Sequence, residues 1–170
     1  MPTTHKPPAP FFSIVIPSLN EAKYLPKLLH DLVHQSYQDF EVIHVDGKSE
    51  DTTIQKAASF AKKLTISTKT VSVRNVSYQR NAGAKLAKGQ WVMFLDADDR
   101  LPSYFLDGLR YQIAKQPETD IFTTWIRVDG RGQFFRTIEQ TVNFTIELYD
   151  QVDRSFAPGA MIGIRRKHCR

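Results

Sequence analysis

Three carboxylates end the stretch Trp91-Val92-Met93-Phe94-Leu95-Asp96-Ala97-Asp98-Asp99, and every residue before them is apolar. An unbroken apolar run of this length suits a central parallel strand buried on both faces. The carboxylates then fall at the strand's C-terminal end, where open α/β sheets place their ligands. Acids this close repel one another, and a divalent cation relieves the repulsion. Mg²⁺ and Mn²⁺ are hard cations that favour carboxylate, phosphate and water oxygens. Taken alone, a solvated acidic turn before Pro102 explains the stretch equally well. The rest of the chain decides against that.

The elements that must position these acids follow an alternating pattern. Phe11 to Ile16 reads as a first buried strand closed by Pro17. Asn20 is expected to cap a helix whose Leu25, Leu28, Leu29, Leu32 and Val33 share one face, with Pro26 disturbing its start. Phe40 to Val45 is a second strand, ending at Asp46-Gly47. A second helix carries Ile54, Ala57, Ala58 and Ala61 on one face. Leu64 to Val73 alternates as an edge strand would, Val76 to Lys88 reads as a third helix stopped by Gly89, and Trp91 to Leu95 is the fourth strand. This order predicts a doubly wound α/β domain with a mostly parallel sheet and helices on both faces.

After Pro102 the pattern changes. A helix is expected over Ser103 to Lys115, then a strand over Ile121 to Val128 that turns at Asp129-Gly130 and pairs with Phe134 to Ile138 as a hairpin. Gln140 to Val152 is open between helix and strand, and Ala157 to Ile164 reads as a short strand. Residues 1–10 hold four prolines and no apolar segment, so they are expected to be a disordered leader. Residues 11–170 then form a single domain, with 11–102 as its ligand-binding half and 103–170 as a partial second half.

Composition narrows the function classes. The chain has 170 residues, 41% of them hydrophobic and 24% charged, as in an ordinary globular domain. The net charge of +5 is spread out, and its densest runs, Arg165-Arg166-Lys167 and Lys62-Lys63, are too short to argue for nucleic acid. A mild positive balance also suits phosphate ligands or peripheral contact with an anionic membrane. Cys169 is the one cysteine, which excludes an internal disulfide and points to a reducing compartment, the cytoplasm, at most at the inner face of the membrane. No run approaches the length of a membrane span.

Three loops leave C-terminal strand ends and carry the chemistry: Pro17-Ser18-Leu19-Asn20-Glu21, Asp46-Gly47-Lys48-Ser49-Glu50-Asp51-Thr52, and Asp96-Ala97-Asp98. A helical element, Gln79-Arg80-Asn81-Ala82-Gly83, precedes the acidic strand. In this order the four motifs resemble family 2 glycosyltransferases of the GT-A fold. The resemblance covers residues 12 to 102 and is specific because four motifs agree. It implies transfer of a sugar from a nucleotide-diphosphate donor, a UDP- or GDP-sugar, to a glycan, lipid or protein acceptor, usually with inversion.

By that resemblance Asp98 would hold the metal, with Asp96 near the ribose or sharing the cation. Asp46 would meet the base or ribose, Arg80 the base edge or the diphosphate, and Pro17, Leu19, Glu21 and Ala97 would frame the nucleotide-sugar pocket. Without the resemblance, Asp46 reads as a turn residue, Arg80 as a solvated helix arginine and Glu21 as a favourable first-turn charge. Lys48 departs from the family's small residue there. His30 and His34 have metal-ligand spacing but read as a polar helix face, and His44 as a packed strand histidine. Pro158-Gly159-Ala160-Met161 with Arg165-Arg166 loosely resembles a stretch lining the acceptor side.

An inverting transfer needs a general base opposite the leaving group. The family's base motif lies after that stretch, so it is expected beyond Arg170, and Glu139, Glu147, Asp150 and Asp153 sit in no recognisable base motif. The competing reading is a nucleotide-sugar-binding module or fragment that lacks the base. A nucleotidyltransferase would need a glycine-rich, basic first loop, and a dehydrogenase a G-x-G-x-x-G; neither is present.

Overall fold

The computed structural model describes residues 8–124, 133, 136, 137, 139–144 and 161–169. Strands β1 (Phe12–Ser18), β2 (Phe40–Asp46), β3 (Ile66–Thr70) and β4 (Trp91–Phe94) alternate with helices α1 (Leu25–Val33), α2 (Thr53–Ala58) and α3 (Val76–Ala84). Helix α4 (Phe105–Lys115) and strands β5 (Ile121–Thr123) and β6 (Ile162–Arg165) follow. The six strands line up as β3-β2-β1-β4-β6-β5.

The first four strands run parallel, with Phe12 opposite both Phe40 and Trp91, and Ser18 opposite Asp46. That aligns the C-terminal ends of β1 and β2. The acidic strand differs from expectation on one side, because β4 pairs parallel with β1 but antiparallel with β6, which itself pairs antiparallel with β5. A doubly wound, mostly parallel α/β sheet is therefore present, with an antiparallel margin.

Alternate residues of each inner strand feed two cores, which explains the unbroken apolar runs. On one face Phe12, Ile14, Ile16, Trp91 and Met93 pack with Leu25, Leu28, Leu29 and Leu32 of α1 and with Leu106 and Ile113 of α4. On the other, Val15, Ile43, Val45 and Val92 meet Ala82, Ala84 and Ala87. Gly83 lets α3 lie this close: a Cβ there would stand 2.3 Å from Val15 Cγ1.

Several boundaries move. Asn20 does not cap α1, whose N-cap is Tyr24; Pro26 sits in the helix's first turn, where a missing N–H leaves nothing unpaired. Residues 136, 137 and 139–144 are helical, so the expected hairpin strand over Phe134 to Ile138 does not form at its described positions, and the open start of 140–152 resolves as helix. The Asp129-Gly130 turn, Trp125, Pro158-Gly159-Ala160 and residues 1–7 lie outside the described residues. Among the described residues no helix is long and apolar enough to cross a membrane.

Candidate functional site

The loop after β1 and the loop after β2 are stitched into one surface. Asn20 adopts a left-handed backbone (φ 60). Its N–H donates to Ser49 Oγ at 2.9 Å, and its side-chain oxygen accepts from Glu50 N at 2.8 Å. Asp51 accepts from Ala22 N at 3.1 Å and from Thr53 N at 2.9 Å, while Glu21 N donates to Thr53 Oγ1 at 2.8 Å. Lys48 is also left-handed (φ 61), a conformation that suits glycine or asparagine better and explains why a small residue fits this position.

Beneath that surface lies a buried polar layer. Asp46 is fully buried, and its carboxylate accepts from Ser49 N at 2.8 Å, Ser49 Oγ at 2.5 Å and Ser18 Oγ at 3.3 Å. Ser18 Oγ also lies 2.7 Å from His44 Nε2, and His44 Nδ1 lies 3.2 Å from Thr68 Oγ1. Burial pushes the His44 imidazole down to about 4, so the ring is neutral at physiological pH. His44 is thus the packed strand histidine that the sequence suggests. Gln79 adds a cross-tie, its amide donating to Ser18 O at 2.8 Å and Val45 O at 3.2 Å.

The acidic loop is fixed from two sides. Asp99 accepts from Asp96 N at 2.8 Å, and its own N–H donates to Asp96 O at 3.0 Å, a local turn. Asp31 of α1 grips Arg100 in a fork, Nε at 2.6 Å and Nη2 at 2.9 Å, and also takes Leu101 N at 3.1 Å. Burial alone would raise the Asp31 carboxyl, but the hydrogen bonds from Arg100 and Leu101 and the Arg100 charge together outweigh it and hold the group below its ordinary value. Arg80 reaches from α3 to Asp96 Oδ1 at 2.6 Å.

These elements enclose an open cavity of about 300 Å³ lined by Pro17, Ser18, Leu19, Glu21, Arg74, Val76, Gln79, Asp96, Ala97 and Asp98. Of the expected site residues, Pro17, Leu19, Glu21, Asp96, Ala97 and Asp98 thus come together. Arg80 touches the cavity through Asp96, and Asp46 lies below it, spent on holding Ser18 and Ser49. The acids in the cavity feel one another: burial first, then the charges of Asp98, Asp51 and Asp96, raise the Glu21 carboxyl. Burial pushes Asp99 up to about 6. Such a set invites a cation. Among the described residues no group of three or more ligand-type side chains closes around a metal. The donor set nevertheless fits Mg²⁺ or Mn²⁺, which commonly take one or two carboxylates and complete their shell with substrate phosphates and water.

Sequence reasoning missed Arg74, Val76 and the tie made by Gln79. Arg74 sits on the loop after β3 and Val76 opens α3, at the fourth C-terminal strand end on this rim, so the same topological rule would have found them. Among late carboxylates, Glu139 is half-buried on helical backbone; Glu147, Asp150 and Asp153 lie outside the described residues.

Residues 13–170 match the family described as Glycosyl transferase family 2. A PGL/p-HBAD biosynthesis glycosyltransferase of Mycobacterium tuberculosis (strain ATCC 25177 / H37Ra) is 43% identical over 97 residues, 55% of this chain and 37% of that protein. The poly(ribitol-phosphate) beta-glucosyltransferase of Bacillus spizizenii is 34% identical over 71% of this chain and 20% of its own length. The crystal structure of S. aureus TarS 1-349 in complex with UDP-GlcNAc superposes with a TM-score of 0.65 at 30% identity, over 71% of this chain and 36% of that one. The mannosyltransferase PcManGT from Pyrobaculum calidifontis, in complex with GDP-Man and Mn²⁺, shares the fold with a TM-score of 0.69 at 18% identity, covering 95% of this chain and 46% of its own. With the family model matched over nearly its whole length, the chain belongs to the family 2 glycosyltransferases. It spans about a third or less of the curated relatives' lengths.

Proposed function

We propose that the rim cavity binds a nucleotide-diphosphate sugar, a UDP- or GDP-sugar, together with Mg²⁺ or Mn²⁺, and that the protein transfers the sugar to a glycan, lipid or protein acceptor with inversion. The observation that carries this reading is the meeting of Glu21, Asp96 and Asp98 with the apolar Pro17, Leu19 and Val76 in one open cavity. Asp98, exposed, would hold the cation, with Asp96 as its neighbour. The bound cation would offset the charge that gathers on the departing diphosphate.

The chain's own residues act around it. Arg80 holds Asp96 in one orientation through their 2.6 Å ion pair. Pro17, Leu19 and Val76 present apolar surface for a base. Asp46 serves the nucleoside from below, by fixing Ser18 at the end of β1 and Ser49 in the loop after β2. Peripheral membrane contact is compatible with a lipid-linked acceptor. Calorimetric titration with UDP-GlcNAc and GDP-Man, with and without Mn²⁺, tests the proposal, followed by a transfer assay on the full reading frame. Mn²⁺-dependent binding of one donor is expected. Binding without transfer to any acceptor would favour a nucleotide-sugar-binding module, and no binding of either donor would refute the proposal.

A further inference from the structure

Helix α1 turns its leucines to the core and two histidines to solvent. His30 lies in its last turn and His34 is its C-cap, both of them exposed. Their rings lie against one another, with centroids 4.2 Å apart and planes 32° from parallel. His34 Nδ1 stands 2.7 Å from His30 O. A carbonyl can only accept, so Nδ1 carries the proton, and the neutral ring keeps a bare lone pair on Nε2. Metal-binding histidines are commonly set in this way, by a backbone carbonyl that takes the other ring N–H. The pair brackets Asp31, which is already spent on Arg100 and Leu101. Among the described residues no third ligand-type side chain joins the two.

We propose that His30 and His34 form a cation site of their own, which takes a borderline divalent ion, Zn²⁺, Ni²⁺ or Cu²⁺, between their imidazole nitrogens and clamps the last turn of α1. The site is separate from the donor cavity and independent of the donor-binding reading. Two nitrogens that share one ion at about 2.1 Å each stand at most about 4.2 Å apart, the scale on which these rings already lie. Imidazole suits these three ions, whereas Mg²⁺ and Mn²⁺ keep to oxygen donors such as the β4 acids. The carbonyl end of a helix also carries partial negative charge, which favours a cation there. Residues four apart meet only while the turn is helical, so the ion binds the folded chain more tightly than the unfolded one.

The test is calorimetry and thermal unfolding with Zn²⁺ or Mg²⁺ on the Asp98→Asn protein, in which the donor cavity has lost its proposed metal ligand. The same protein is then measured with His30→Ala, His34→Ala or His168→Ala added. Asp98→Asn alone should bind Zn²⁺ and gain thermal midpoint with it, and Mg²⁺ should give neither. His30→Ala and His34→Ala should each weaken Zn²⁺ binding by at least about tenfold and abolish the gain. His168→Ala, which removes another exposed histidine, should change neither. The midpoints without metal show that each variant is folded. Zn²⁺ affinity that survives His30→Ala or His34→Ala would overturn the proposal, as would a midpoint gain that depends on His168 instead. Because Asp98 is absent throughout, a failure here leaves the donor-binding reading standing.

Discussion

The two ends of the sheet both bury an acid at strand β2, and they use it differently. At the N-terminal end Glu41 accepts from Ser13 Oγ at 2.6 Å and Lys88 N at 2.8 Å, while Ser13 Oγ takes Gly89 N at 2.8 Å. That network closes on the turn between α3 and β4. At the C-terminal end Asp46 holds Ser18 and Ser49 in the same manner, but its network is only a floor. Above it stand Glu21, Asp96 and Asp98, whose mutual repulsion the protein does not fully relieve. Buried acids that are satisfied build the fold, and crowded acids left facing a cavity mark the site.

Asp98→Asn should break this contrast most severely. Mn²⁺-dependent nucleotide affinity should fall by at least about a hundredfold, more than a change outside the metal's own ligands costs, while the thermal midpoint stays put. Retention of metal-dependent binding would remove the functional end from the comparison.

His44 supplies the next effect. It stays neutral in the fold down to about pH 4, whereas in the unfolded chain it takes a proton below its ordinary 6.5. The unfolded state therefore binds more protons in this window, and stability should fall as pH drops from 6.5 to 4, by at most roughly 3 kcal/mol. Asp99 works the other way: its folded value of about 6 lies above the ordinary 3.8, so its protonation favours the fold as pH falls. Denaturant titrations of wild type and His44→Gln isolate the histidine, because Asp99 is common to both. Equal slopes would place His44 outside the acid response.

Glu41→Ala, at the opposite end, takes the acceptor from the Ser13 hydroxyl and leaves the Lys88 amide only its longer bond to Ser13 Oγ at 3.2 Å, and should cost about 2 kcal/mol. Donor affinity should not change. A drop in affinity would mean the two ends are coupled. Smaller still, Gln79→Leu should lower stability by about 1 kcal/mol and weaken donor binding several-fold, because the β1 and β2 ends lose their cross-tie. Stability loss with unchanged binding would make Gln79 a purely structural residue.

Much of this contrast is legible in the sequence. The runs Phe12–Ser18, Phe40–Asp46 and Trp91–Phe94 are buried and rich in apolar residues because both sheet faces are covered, and that pattern places Pro17, Asp46 and Asp96 on one rim. Asn20 was misread because a residue that suits a helix cap suits a left-handed loop equally well. Gln79 looks like any solvated helix glutamine until tertiary packing buries it. The margin of the sheet stayed hidden for a different reason. β6 inserts between β4 and β5, pairing Phe94 with Ile162 across a long stretch of chain, and no local periodicity encodes such a pairing.

The central claim is that the β4 acids meet a donor's pyrophosphate through a divalent ion. A crystal soaked with Mn²⁺ and UDP, or GDP if calorimetry selects it, tests this directly. Anomalous density for manganese should lie between the Asp98 carboxylate and both phosphates. Nucleotide bound elsewhere, or manganese away from Asp98, would contradict the account.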